Sequence, residues 1–345
     1  MLWRGELGKD ALPLLILDAL DGYVSPAYIA SEPAMHAFDR REVHAQETDD
    51  VYGPATLCDA GAAIQAYRDR HGTHWWTQRA DMHVSPELWA RGAALARAAH
   101  DADDPACTVS LHSPTWTTDA LAHVLVQNRS DEQCTVYWTL SPNVTHAYLL
   151  PFRSAFLLTD LLANNAKHVG MRPTGFDALL AMVHETHGVD VVLMDPPWPN
   201  KSAQRAQRGG YATMPDLYDL WHLRPALEPL LAYKPLLGIW ITNHPKVHRF
   251  VRDKFFPGLG FRPIAAWAWL KLATSGEPLC TLAQPRRRKP FELLLIGVHK
   301  DSSERVPAHQ LLASVALAHS EKPYIAPALL RAAGRDPKLT LGISV

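Results

Sequence analysis

Apolar residues along this chain change their spacing near residue 150. Before that point, residues 60–70 and 86–100 keep helical spacing, the second run Ala-rich with Ser85 as its amino-terminal cap. Residues 101–105 form an acidic break, 134–140 have strand composition, and Pro142-Asn143 marks a turn. From Pro151 onward, short apolar runs alternate with helical ones, the order of a doubly wound sheet. Strands are expected over 154–159, ending at Asp160, and over 190–194, 236–242, 264–270, 291–298 and 338–341. Helices are expected from a Thr174 cap to His187, over 215–231 with a break at Pro225, over 245–254, and over 322–333. The pattern predicts an α/β domain with a mostly parallel sheet at 151–345, preceded by an accessory, acidic, partly helical α+β region at 1–150.

Charge sharpens that division. The 345 residues carry a net charge of −1, but unevenly. Residues 1–150 hold 10 Lys/Arg against 20 Asp/Glu, whereas residues 195–300 hold 16 against 7. The basic segment is therefore expected to meet a polyanion; pairing of the two oppositely charged halves is the alternative. The cysteines Cys58, Cys107, Cys134 and Cys280 lack metal-type spacing, which fits a reducing compartment. Leu12 to Leu17 is apolar, but Asp18 and Asp21 follow, making a poor signal peptide, and no run approaches the ~18 apolar residues of a membrane span. An intracellular protein without a membrane segment is expected. His244 and His248, and the stretch His184 to His187, lack the further ligands a zinc site needs, so no metal is expected.

Chemistry concentrates at Val191-Val-Leu-Met-Asp-Pro-Pro-Trp198. A wholly apolar, β-branched run delivers one carboxylate at its carboxyl end, where open α/β sheets keep their ligands. Pro196 and Pro197 then add stiffness and no N–H. Alone, such a segment also reads as a strand end, a turn and a buried indole. Its functional reading is methylation of a nucleobase amine. Asp195 and the bare carbonyl of Pro196 would accept the amine protons and localise a lone pair otherwise delocalised into the ring, and Trp198 would stack on the base.

The flanking motifs carry a resemblance. Asp195 to Tyr211 (DPPWPNKSAQRAQRGGY), Trp240 to Asn243, Trp267 to Lys271, Ser275-Gly276-Glu277, Arg288 to Glu292 and His319-Ser-Glu-Lys-Pro323 stand in this order. As a set they resemble the MT-A70 family of adenine amino-methyltransferases, in particular its methyltransferase-like-four branch, over about residues 151–340. The resemblance implies a Rossmann-like methyltransferase domain that uses S-adenosylmethionine to methylate adenine in RNA, such as small nuclear RNA, or in DNA. It implies cofactor contacts at Asp160, Lys289, His319 and Lys322, although Asp160 also reads as a cap or turn residue. Asn200, Lys201 and Ser202 would lie by the target nucleotide, with a solvated loop as the alternative, and Lys271 would face the same crevice. Arg286, Arg287 and Arg288 would contact phosphates, serve nuclear import and so place the protein in the nucleus, or form a solvated loop. The family's loop beyond the last strand does not follow here, where Lys338 to Val345 closes the sequence. This sets two expectations: weak binding of the cofactor unless a partner subunit completes the pocket, and, as the rival function, a catalytically silent nucleic-acid-binding protein.

Overall fold

The computed structural model describes residues 3–7, 12–16, 52–71, 108–111, 115–118, 123–132, 134–141, 144–159, 172–199, 213–273, 275–279, 289–315, 322–336 and 339–344. Its strands are β1 (Trp3–Leu7), β2 (Leu12–Ile16), β3 (Thr108–Leu111), β4 (Thr115–Thr118), β5 (Leu125–Asn128), β6 (Cys134–Ser141) and β7 (Val144–Leu150). They continue with β8 (Ser154–Leu157), β9 (Val191–Asp195), β10 (Leu236–Ile241), β11 (Phe261–Leu272), β12 (Phe291–His299), β13 (His309–Val315) and β14 (Thr340–Ser344).

Contacts divide the chain differently from the boundary expected at residue 150. One compact unit comprises residues 1–82, 190–198 and 234–345; the other comprises 83–189 and 199–233. The amino-terminal strands fall in the first unit because they complete its sheet. That sheet has eight strands in the order β1-β2-β13-β11-β12-β10-β9-β14. Only β1 and β12 run against the rest, so the sheet is mixed and mostly parallel. The motif strand β9 lies inside it, paired in parallel with β10 on one side and β14 on the other.

Burial explains the apolar runs. Every residue of β10 is buried, as expected for a strand covered on both faces. On one face, Ile325, Leu329 and Leu330, at and within the helix Ala326–Ala333, pack with Trp240, Trp267, Trp269 and Leu294. On the other, a Cβ added to Gly297 would come 2.8 Å from the ring of buried Phe256, so the absence of a side chain on β12 lets that helical segment approach. Two core indoles have a polar partner: Trp267 Nε1 donates to Pro307 O at 2.8 Å, and Trp269 Nε1 to Ser314 Oγ at 2.8 Å.

Local expectations are corrected at several points. The helix Phe176–Glu185 is entered through Gly175 at φ 81° with no side-chain cap, so Thr174 does not cap it. The break expected at Pro225 is a junction, where the 3-10 turn Leu217–Leu223, with a capping box between Asp216 and Asp219, passes into the helix Arg224–Leu231. The helix begun at Pro245 continues through a widened turn at Val251–Phe255 to Gly258, and the His244 side chain caps it by accepting from Lys246 N at 3.2 Å. The last helix starts at Ala326, which leaves Lys322 on the irregular segment before it. The helix expected over 86–100 lies outside the described residues.

The second unit holds two three-stranded sheets, β3-β5-β8 and β4-β6-β7, around Val126, Cys134, Val136 and Leu150. Strand β8 therefore belongs to a different sheet from the motif strand. Asn128, the first residue of a glycosylation-type sequence, is buried: its Nδ2 donates to Glu132 O at 2.7 Å and Pro151 O at 2.9 Å, and its Oδ1 accepts from Ser130 Oγ at 2.7 Å. It holds a turn. Among the described residues no helix is long and apolar enough to cross a membrane.

Tyr52, just before the helix Pro54–His71, ties the amino-terminal segment to the sheet. Its buried hydroxyl donates to Ala266 O at 2.6 Å and accepts from Gln310 N at 3.1 Å. Tyr52→Phe strands both backbone groups away from water and should lower stability by about 1–3 kcal/mol. Urea unfolding followed by fluorescence checks this; an unchanged midpoint would show that the hydroxyl contributes nothing.

Candidate active site

Strand direction assembles the site. Because β9 and β11 run in parallel, Asp195 and Lys271 both emerge at carboxyl ends of strands. The antiparallel β12 enters the sheet from that same end, so its second residue, Glu292, arrives beside them, with Trp269 as its register partner on β11. The segment before the last helix adds Lys322. Lys322 Nζ lies 2.8 Å from Asp195 Oδ2 and 3.3 Å from Glu292 Oε2, and Lys271 Nζ lies 2.5 Å from Glu292 Oε1. Lys271 also sits 4.7 Å from the centre of the Trp269 ring, in cation–π range.

These four charges alternate in sign and are largely withdrawn from water. Burial pushes the Asp195 carboxyl above its usual range, and the Lys322 ammonium offsets that only in part. Burial acts upward on Glu292 as well, but Lys322 and Lys271 together outweigh it and hold that carboxyl below its usual range. For Lys322 burial acts downward, yet the carboxylates of Glu292 and Asp195 outweigh it and raise the ammonium. The group thus links two carboxyl groups through two lysines. Asp195 Oδ1 accepts no hydrogen bond among the described residues.

The turn after Asp195 is tight. Trp198 N donates to Pro196 O at 2.8 Å, a bond spanning two residues. Neither proline has an N–H, so the two residues after the carboxylate present no backbone donor to compete for it. The Pro196 carbonyl, expected to be bare, already accepts from Trp198, and its second lone pair is what remains for a ligand. Trp198 is 5% exposed, and its Nε1 donates to Trp240 O at 2.8 Å, which braces the turn against β10.

Of the residues singled out by sequence, the structure brings together Asp195, Pro196, Pro197, Trp198, Lys271 and Lys322. Lys289 stands at the entry to β12, 5.8 Å from the centre of the Phe291 ring. Asp160, Asn200, Lys201, Ser202, Arg286, Arg287, Arg288 and His319 lie outside the described residues. Glu292 is the residue that sequence reasoning passes over as a site candidate. Its signal is a lone carboxylate opening an otherwise apolar strand, Phe291-Glu-Leu-Leu-Leu-Ile-Gly-Val298, but only the strand's direction shows where that carboxylate goes.

Removing Lys322 tests the charge arrangement. In Lys322→Met, Asp195 loses its counter-ion in a site where the two side chains are only 17% and 15% exposed. Such a loss should cost about 3 kcal/mol at neutral pH. The deficit should shrink on acidification. A protonated Asp195 needs no counter-ion, while the wild type loses the Glu292 contribution as pH falls through that lowered pKa. Urea unfolding at neutral and acidic pH measures both, and a deficit independent of pH would rule the ion pair out as its source.

Residues 189–341 match the MT-A70 family model, a span running from the residues before β9 into β14. The human protein called N(6)-adenine-specific methyltransferase METTL4 is 30% identical over 194 residues, covering 53% of this chain and 37% of that one. A Pyricularia oryzae protein called N6-methyladenosine RNA methyltransferase MTA1 is 37% identical over 145 residues, 39% of this chain and 38% of that one. A Caenorhabditis elegans protein called DNA N6-methyl methyltransferase is 29% identical over 137 residues, 39% of this chain and 36% of that one. The chain thus spans little more than a third of the length of the curated relatives it matches. The matched stretch, residues 189–341, is the one that builds the motif strand and its charged neighbours.

Proposed function

We propose that this chain transfers a methyl group from S-adenosylmethionine to the exocyclic amine of adenine in nucleic acid. One observation carries the reading: a buried carboxylate at the end of a central parallel strand, with one oxygen on Lys322, the other without a partner among the described residues, and a donor-free turn behind it. The adenine amine is a weak nucleophile because its lone pair is shared with the ring. Oδ1 of Asp195 and the remaining lone pair of the Pro196 carbonyl accept its two N–H groups. That returns electron density to nitrogen and stabilises the positive charge that grows as the N–C bond forms. Once methylated, the nitrogen is acidic enough to lose its proton to water, so Asp195 need not act as a general base.

S-adenosylmethionine, when bound, supplies a methyl group activated by a sulfonium. The residues present suit its amino-acid end: Lys322, Lys271 and Lys289 offer ammonium groups to a carboxylate. Asp160 and His319 belong to the same proposal through the family resemblance alone. The substrate proposal covers both RNA and DNA, since the relatives' names mention both. Asn200, Lys201 and Ser202 would lie by the target nucleotide and Arg286, Arg287 and Arg288 by phosphates. The nucleus is the proposed location, on the strength of that arginine run.

Methyl transfer to adenine-containing RNA and DNA oligonucleotides, scored as N6-methyladenine, tests the reading. Asp195→Ala should lose on the order of 3 kcal/mol of transition-state stabilisation, about a hundredfold or more in kcat, while nucleic-acid affinity stays within a few-fold. Turnover near that of the wild type would remove Asp195 from the chemistry. Because the ionised carboxylate is the working form and burial raises its pKa, activity should fall on acidification at a higher pH than an ordinary aspartate would give. Neutralising Arg286, Arg287 and Arg288 should weaken binding to all sequences alike, flattening the log–log salt dependence by roughly 0.7–0.9 for each phosphate left unneutralised. An unchanged slope would make that run a solvated loop or an import signal.

A further inference from the structure

We propose that Glu292 is a positioning residue for Asp195: it draws Lys322 onto one oxygen of the Asp195 carboxylate and so leaves the other for the substrate amine. The inference rests on the adenine-methylating reading of Asp195 and assigns a role to a residue outside the motif.

An ammonium facing a single carboxylate is free to bond either oxygen or to bridge both. Lys322 bonds one. Its Nζ is bonded to Asp195 Oδ2 at 2.8 Å, with Glu292 Oε2 drawing on it from 3.3 Å. An ammonium directs its donors tetrahedrally, so two carboxylates on different elements fix its orientation. Without that second partner, the long lysine side chain on an irregular segment would slide across both oxygens of Asp195. The amine-accepting Oδ1 would then be covered by the protein's own cation.

Glu292 is itself held firmly. Its second oxygen is taken by Lys271 at 2.5 Å, and Lys271 lies against Trp269, a fully buried ring whose N–H is bound to Ser314 Oγ. The line from Ser314 through Trp269, Lys271, Glu292 and Lys322 to Asp195 therefore starts in the core of the sheet and ends at the reacting carboxylate. It explains why β12 opens with a charged residue in an otherwise apolar strand. A Leu there would leave Lys322 with Asp195 as the remaining carboxylate of the group.

Among the described residues, the charged groups that act on Asp195 are Lys322 from the segment before the last helix, Glu292 from β12 and Lys271 from β11. Their signs make the test two-sided. The Asp195 carboxyl is followed by carbon-13 NMR of aspartate-labelled protein, its signal assigned by its disappearance in Asp195→Asn. Glu292→Gln removes a negative neighbour that competes with Asp195 for Lys322, so the Asp195 midpoint should move down. Lys271→Met removes a positive neighbour and turns Glu292 fully toward Lys322, so the midpoint should move up. Methyl transfer should follow: kcat/KM of Glu292→Gln should fall about tenfold or more at neutral pH, with its acid limb displaced to lower pH and partial rescue in Glu292→Asp. A residue that only packs would lower activity at every pH without moving the limb. Midpoints that stay fixed, or that move the same way in both variants, overturn the inference. Failure of the underlying reading shows itself separately, as a wild type that titrates as described and transfers no methyl group.

Discussion

Four charged groups meet at one end of the central sheet, and none of them is tolerable there without the others. Withdrawing an ion from water costs several kcal/mol even in a relaxed protein, and attraction repays that only when partners are close and well directed. Asp195, Lys322, Glu292 and Lys271 meet the condition by alternating in sign across distances of 2.5 to 3.3 Å. They come from β9, the segment before the last helix, β12 and β11. Their convergence depends on the sheet having its one internal antiparallel strand where it does. If β12 ran with its neighbours, Glu292 would sit at the opposite end, leaving two ammonium groups with one carboxylate.

That opposite end is built for support. Arg335, just past the last helix, is ion-paired with Glu304 and donates to Asp190 O at 3.0 Å and Lys234 O at 3.2 Å. Asp190 N donates to Leu339 O at 2.9 Å, and Leu236 N to Asp190 O at 2.8 Å. These bonds set the starts of β9, β10 and β14 against one another. With their amino ends pinned, the register of the three parallel strands fixes where Asp195 emerges, opposite Ser344 of β14. The apolar interior of β9 and β10 transmits that placement, since a one-residue slip would turn buried valines and leucines to the wrong face.

Part of this is legible in the sequence. The apolar run ending in Asp195, strand β10 and the Leu293–Val298 stretch of β12 stand out because a strand buried on both faces has no polar interruptions. The amino-terminal strands do not stand out. Leu12–Ile16 is five residues of apolar chain, and its partner β13 lies about three hundred residues later, a pairing no local pattern encodes. For the same reason a boundary at residue 150 follows composition, whereas the contacts unite residues 1–82 with the motif strand. Local pattern identifies β8 as a strand but assigns it to the wrong sheet, because alternation of elements gives their order and not their partners. The bond from the Trp198 N–H to Trp240 O and the burial of that ring are facts of packing that residue identity does not carry.

The same limit explains why Glu292 escapes notice in the sequence while Asp195 does not. A carboxylate at the carboxyl end of a parallel strand is at once a candidate for chemistry, because that is where open sheets leave a crevice. A carboxylate at the amino end of a strand carries no such implication unless the strand is known to be inverted. Only in the folded sheet do the two become neighbours of one lysine. Their charges then part company: Asp195 is left easier to protonate than an ordinary aspartate, and Glu292 harder than an ordinary glutamate. Two carboxylates of unlike basicity around one ammonium give unlike tasks to chemically similar groups. The more basic one, with an oxygen unpartnered among the described residues, suits the amine protons of a substrate; the other, saturated by two lysines, suits holding the cation in place.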